Sequence, residues 1–288
     1  MNHRDLCDRR LVLRAAAVGT LAAVAGESLA ADEPAKPKGN IKQSICRWCY
    51  NKIPLDKLAA EASKIGYKSL ELLGANDIKM VKQMGLTCAV MASAGSIADG
   101  LNRKENHEAI EKQLRTNIEF AAAEGIPNVL VMSGNRKGMP DDEGMENCAV
   151  SLKRVVGLAE EKKVTILMEG LNSKVNHKDY MYDKTAWGVA LCKKVGSPRF
   201  KLLYDIYHMQ IMEGDVIATI RADKEYIGHY HTGGVPGRAE IDETQELNYP
   251  AIIKAILETG YQGYLGQEYI PRRDPVASLA QGFRICDV

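Results

Sequence analysis

From residue 40 onward, short apolar runs alternate with stretches of helical spacing. The apolar runs predict strands at 41–48, 67–73, 86–92, 128–132, 164–168, 200–204, 226–231 and 264–268. Between them, a 3.6-residue apolar period predicts helices at 54–65, 77–84, 104–124, 141–162, 184–195, 215–222 and 249–258. Gly66, Gly85, Gly125, Gly196 and Gly260 stand just past helices, where a left-handed cap is expected. The strands read as continuous apolar runs, so both of their faces are buried, as in a parallel sheet. Eight β/α units in series predict an α/β protein with a single closed (β/α)8 TIM barrel over residues 40–288. A doubly wound open sheet is the rival, but no G-x-G-x-x-G follows the first strand.

Four of the later runs end in a side chain that apolar strands normally exclude: LMEGLN in Glu169, LLYDIYH in Asp205, HYHTGG in His231 and GQEYIP in Glu268. An unpaired carboxylate in an apolar setting costs several kcal/mol, so four such tips in succession point to convergence on a cation. In a TIM barrel the C-terminal strand ends form the active-site mouth, and consecutive strands are neighbours. Three carboxylates and one imidazole suit one divalent Mn²⁺, Mg²⁺ or Co²⁺ better than a tetrahedral structural zinc. Three carboxylates also leave net negative charge beside a divalent ion, so an anionic substrate needs a further cation. Arg238, in TGGVPGR, is the candidate. His208 follows Asp205 by three residues and is a candidate for a substrate hydroxyl. His229, deeper on the same face as His231, reads as a supporting or packing residue. Trp48 and Tyr50 are candidates for an apolar wall.

Residues 1–30 combine Arg9 and Arg10 with an alanine-rich apolar run and a small-residue segment, Ser28 to Ala30, resembling a twin-arginine export signal. That run is too short to span a bilayer, and 31–39 reads as a polar, proline-containing linker. The expected mature protein is therefore periplasmic and free of the membrane. The whole chain has 38 basic and 37 acidic residues; the leader takes four and three of these, leaving 34 of each. Such balance lacks the basic excess that binds phosphate backbones, so nucleic acid is not an expected partner. Six cysteines remain, scattered unlike a disulfide framework. Cys46 and Cys49 lie ~10 Å apart if both belong to a strand, too far to bridge, and pair only if the chain has turned by Cys49.

LMEGLN, LLYDIYHMQ, HYHTGGVPGR, and LNYP followed by GYQGYLGQEYIPR resemble the hydroxypyruvate isomerase branch of the xylose isomerase-like (AP endonuclease 2-type) TIM barrels. The resemblance implies that Glu169 and Glu268 are paired acid/base catalysts that also touch the metal, with Asp205 and His231 completing its shell. It implies that His208 and Arg238 contact a small hydroxy-carbonyl acid or sugar. Family members often form dimers, which makes a homodimer compatible with the resemblance. One departure stands out: typical hydroxypyruvate isomerases carry glutamine where this chain has His231, whereas the related ketose 3-epimerases carry histidine.

The implied chemistry is metal-assisted proton transfer through an enediolate, converting hydroxypyruvate to tartronate semialdehyde or epimerising a ketose at carbon 3. Two rivals come from other classes. An endonuclease IV-like phosphodiesterase needs more histidine and a basic face than this chain offers. An exported sugar-binding barrel without catalysis is separated from an isomerase by exchange of substrate hydrogen with solvent.

Overall fold

The computed structural model describes residues 37–288. The expected export signal and most of the linker lie outside the described residues. Eight strands run in the order β1 (Lys42–Cys46), β2 (Ser69–Glu71), β3 (Val90–Ala94), β4 (Asn128–Val131), β5 (Thr165–Glu169), β6 (Phe200–Asp205), β7 (Ile227–Thr232) and β8 (Tyr264–Gln267). All pairings are parallel, with spatial order β2-β1-β8-β7-β6-β5-β4-β3. The ring closes between β2 and β3 through isolated parallel bridges at Ser69/Thr87 and Leu73/Met91. Hydrogen bonds from Leu70 N to Thr87 O (3.1 Å) and from Leu72 N to Val90 O (2.8 Å) complete the seam. Eight neighbouring parallel strands therefore form the expected barrel.

Helices α1 (Leu55–Ile65), α2 (Ala75–Gln83), α3 (His107–Glu124), α4 (Asp141–Lys162) and α5 (Thr185–Val195) follow the first five strands. They bury their apolar stripes against the sheet, as α1 does with Leu58, Ala59 and Ala62. Gly66, Gly125 and Gly196 take the left-handed conformation that ends α1, α3 and α5. Two helices follow β6: α6 (Ile206–Met212), which the apolar spacing did not predict, and α7 (Val216–Ala222). The side chain of Asp205 caps α6 by accepting from His208 N at 3.1 Å, so the last residue of β6 is also the helix cap. After α8 (Tyr249–Glu258) and β8, the unpredicted α9 (Pro275–Cys286) supplies the eighth outer helix. It starts on an Asp274 cap, whose Oδ1 accepts from Ala277 N at 2.8 Å. It packs back on the first strands, where Gln43 Nε2 donates to Phe283 O and Tyr67 OH to Leu279 O. Among the described residues, no helix is long and apolar enough to cross a membrane.

Candidate metal and active site

Strand register gathers the four tips. Glu169 ends β5 beside Leu203, Asp205 ends β6 opposite His231, and His231 pairs with Gly266, two residues before Glu268. The four side chains are buried, and each offers one donor atom within 4.8 Å of the other three. Opposite ligands of one ion with bonds of about 2.1 Å lie about 4.2 Å apart, so donors within 4.8 Å of one another need to close by at most several tenths of an ångström to share a single divalent ion. Glu268 Oε2 gives a second indication. It lies 2.7 Å from His231 Nδ1 and 2.6 Å from Arg238 Nη2, yet neither donor is aligned for a hydrogen bond. A buried carboxylate oxygen without an aligned donor is what a cation would satisfy.

Charge is arranged asymmetrically. Burial opposes ionisation of Glu268, but Arg238 and His231 outweigh it and hold this carboxyl well below the usual carboxylate range. Glu169 goes the other way: burial and the facing charge of Glu268 push it up. Two carboxylates at one site with opposite shifts are the arrangement expected of an acid/base pair.

Arg238 is not a free cation at the end of a loop. Its Nη2 lies 3.1 Å from Asp205 Oδ2, and its guanidinium stacks 5.1 Å from the ring of Trp48 and 5.2 Å from that of Tyr207. The backbone holds it at φ 53°, with Arg238 N donating to Gly234 O (2.8 Å) and Ile270 N donating to Arg238 O (2.7 Å). A non-glycine residue in that conformation carries strain that these contacts offset. His208 is also buried. Its Nδ1 accepts from Asn172 N at 3.1 Å, and Nε2 has no hydrogen-bond partner and lies 3.7 Å from Asp205 Oδ2. Burial and the charge of Arg238 push His208 down, which favours the neutral ring.

Beside the cluster opens a cavity of about 390 Å³, into which Glu169, Glu268 and Arg238 face. Its other walls are Trp48, Leu72, Ala92, Ile97, Leu130, Met132 and Leu171, with Ser93 and His177 between them. Trp48 forms part of the wall, as expected, and also donates from Nε1 to Glu268 Oε1 at 2.6 Å. Tyr50 does not reach the cavity. It is buried and packs edge-on against Tyr269, at 6.4 Å between ring centres.

The profile of the "Xylose isomerase-like TIM barrel" family matches residues 59–286, most of the chain and the whole donor cluster. The chain belongs to this family. It is 32% identical to a 2-oxo-tetronate isomerase of Cupriavidus necator over 240 residues, covering 78% of this chain and 90% of that one. It is 31% identical to a putative hydroxypyruvate isomerase of Homo sapiens over 182 residues; that match covers 60% of this chain and spans only 64% of the relative's length. Among solved structures, an AP endonuclease of family 2 from Brucella melitensis superposes with a TM-score of 0.73 at 24% identity. That superposition covers 84% of this chain and 98% of the other, and it supports the barrel fold alone.

Two residues at the site were not singled out from the sequence as part of it. Glu71, the last residue of β2, is fully buried, and its Oε1 lies 2.7 Å from His231 Nε2 and 3.0 Å from His229 Nε2. Burial opposes its charge, but the two imidazoles hold its carboxyl well below the usual range. It is a fourth carboxylate, which a charge count of the strand tips alone omits. Cys46, the last residue of β1, lies with Sγ 3.6 Å from His231 Nε2 and 3.5 Å from Glu71 Oε1. The signal for Glu71 was present: an acidic residue inside the apolar run 67–73. His229, read from the sequence as a supporting or packing residue, lies behind His231 with ring centres 5.2 Å apart. The chain does turn at Cys46, into a 3₁₀ turn over Arg47–Tyr50, yet Cys46 and Cys49 are free thiols.

Proposed function

We propose that the protein is a divalent-metal isomerase of a small α-hydroxy carbonyl compound, with hydroxypyruvate and tartronate semialdehyde as the leading pair. The reading is carried by one observation: Glu169 and Glu268 belong to a four-donor cluster and also line the cavity that opens beside it. Glu169, Asp205, His231 and Glu268 would hold one Mn²⁺, Mg²⁺ or Co²⁺, which supplies Lewis-acid polarisation of the substrate oxygens. One glutamate removes the proton from the hydroxyl-bearing carbon, and a glutamate returns a proton to the former carbonyl carbon. Arg238 neutralises part of the carboxylate charge and offers its guanidinium edge to an anionic substrate. His208, neutral and with Nε2 unpartnered, is assigned to a substrate hydroxyl. The relatives named as hydroxypyruvate and 2-oxo-tetronate isomerases support this chemistry.

A second reading, ketose 3-epimerisation, is favoured by the cavity. At roughly the 30 Å³ that a water molecule occupies in the liquid, the seven heavy atoms of hydroxypyruvate need about 210 Å³ and the twelve of a hexose about 360 Å³. The cavity has about 390 Å³, room for a hexose. Incubating metal-loaded protein in D₂O with hydroxypyruvate and with common ketoses separates the two readings. Deuterium enters carbon 3 of hydroxypyruvate in the first and carbon 3 of a ketose in the second; no incorporation in either sinks both. Export through the twin-arginine route belongs to the same proposal. Replacing Arg9 and Arg10 by lysine should then leave the protein in the cytoplasm, and unchanged export would refute it.

A further inference from the structure

His231 is gripped from both ring edges. Its Nδ1 faces the donor cluster, 2.7 Å from Glu268 Oε2 and 3.3 Å from Glu169 Oε1. Its Nε2 faces away from that cluster, 2.7 Å from Glu71 Oε1. Glu71 comes from β2, so its side chain passes β1 and β8 to reach the ring on β7. Room for that reach is built into β8. A Cβ on Gly266 would stand 2.4 Å from Glu71 Oε1 and 2.7 Å from His231 Cδ2. His229 Nε2 closes on the same Glu71 oxygen at 3.0 Å, fixing the carboxylate from behind.

A neutral imidazole has one N–H and one lone pair, and both ring nitrogens of His231 meet carboxylates. With a cation in the cluster, Glu169, Asp205 and Glu268 are its ligands and Nδ1 must offer its lone pair, so Glu71 is the carboxylate that holds the ring proton on Nε2. An ionised carboxylate behind a ligand ring also strengthens that ring as a donor. Nitrogen donation matters more to Mn²⁺ and Co²⁺ than to the harder Mg²⁺.

We propose that Glu71 is a positioning residue that fixes the tautomer of His231 and thereby tilts the cluster's preference towards Mn²⁺ and Co²⁺ over Mg²⁺. The inference rests on the metal reading above and adds to it a residue and a selectivity. The test compares wild type with Glu71→Gln by calorimetric titration of Mn²⁺, Co²⁺ and Mg²⁺. The glutamine variant should lose on the order of 10–100-fold in affinity for Mn²⁺ and Co²⁺, with a distinctly smaller change for Mg²⁺. Equal losses for all three ions, or none, would overturn the positioning role while leaving the metal reading intact. Failure of wild type to bind any of the three would overturn both. The tautomer has its own readout in wild type, which keeps the test open should the variant misfold. In the Mg²⁺-loaded protein, ¹⁵N spectra of the histidine rings should show His231 protonated at Nε2, and a proton on Nδ1 would refute the assignment.

Discussion

The two halves of the barrel mouth are built for different work. Strands β5 to β8 present Glu169, Asp205, His231 and Glu268 within 4.8 Å of one another, with Arg238 pressed against two of the carboxylates. Across the cavity, the β2–β4 side offers Leu72, Ala92, Ile97, Leu130 and Met132, with Ser93 the polar exception. Apolar walls exclude water and lower the local dielectric, which strengthens every charge interaction on the facing side. One half thus supplies chemistry and the other supplies shape. Damage to the first should appear in turnover, and damage to the second in substrate affinity.

The largest effect is expected from Glu169→Gln or Glu268→Gln. Each should lower deuterium incorporation into substrate by on the order of 10²–10⁴-fold with little change in the far-ultraviolet spectrum. Near-normal incorporation in both variants would remove the acid/base pair from the account. Treatment with a chelator should abolish exchange, and Mn²⁺ or Co²⁺ should restore it; persistence of exchange without metal would break the assignment of the polar half. On the apolar half, Ile97→Ala should raise KM by roughly 10-fold and leave kcat almost unchanged: a methylene in a closed pocket is worth about 1–3 kcal/mol, and Ile97, partly exposed at the cavity rim, sits at the low end of that range. A selective loss of kcat would show that the apolar half is not merely shape.

The smallest effect sharpens the contrast between buried carboxylates that serve the fold and those that serve the site. Asp242 is buried but fully partnered, accepting from Thr244 N (3.1 Å), Thr244 Oγ1 (2.6 Å) and Arg273. Burial opposes its charge, but these partners hold its carboxyl at about 2. A depressed carboxyl stabilises the fold fully above its ordinary value near 3.8, and that stabilisation is lost as pH falls towards 2. Asp242→Asn should therefore lower Tm at pH 7 by a few degrees, corresponding to about 1–2 kcal/mol. The gap should narrow below pH 4; a gap unchanged between pH 7 and pH 3 would contradict the assignment.

Strand order and barrel class were legible because doubly buried parallel strands leave long apolar runs, and Glu169, Asp205, His231 and Glu268 stood out as polar interruptions at their ends. Glu71 was hidden for the same reason that makes it informative. Its partners, His229 and His231, are 158 and 160 residues away in the chain, so no local spacing links them. Arg238 looked like a loop cation because the sequence does not reveal that its backbone is pinned between Gly234 and Ile270. The α6 helix escaped notice because its cap, Asp205, had already been read as a strand end. The α9 helix carried a readable start, Asp274 before Pro275, beyond the last strand.

Metal stoichiometry of the purified protein tests the central claim most directly. The account predicts one tightly held Mn²⁺ or Co²⁺ per chain in wild type and none in Asp205→Ala of unchanged secondary structure. Absence of a bound divalent ion in wild type, or the same stoichiometry in both proteins, would contradict it.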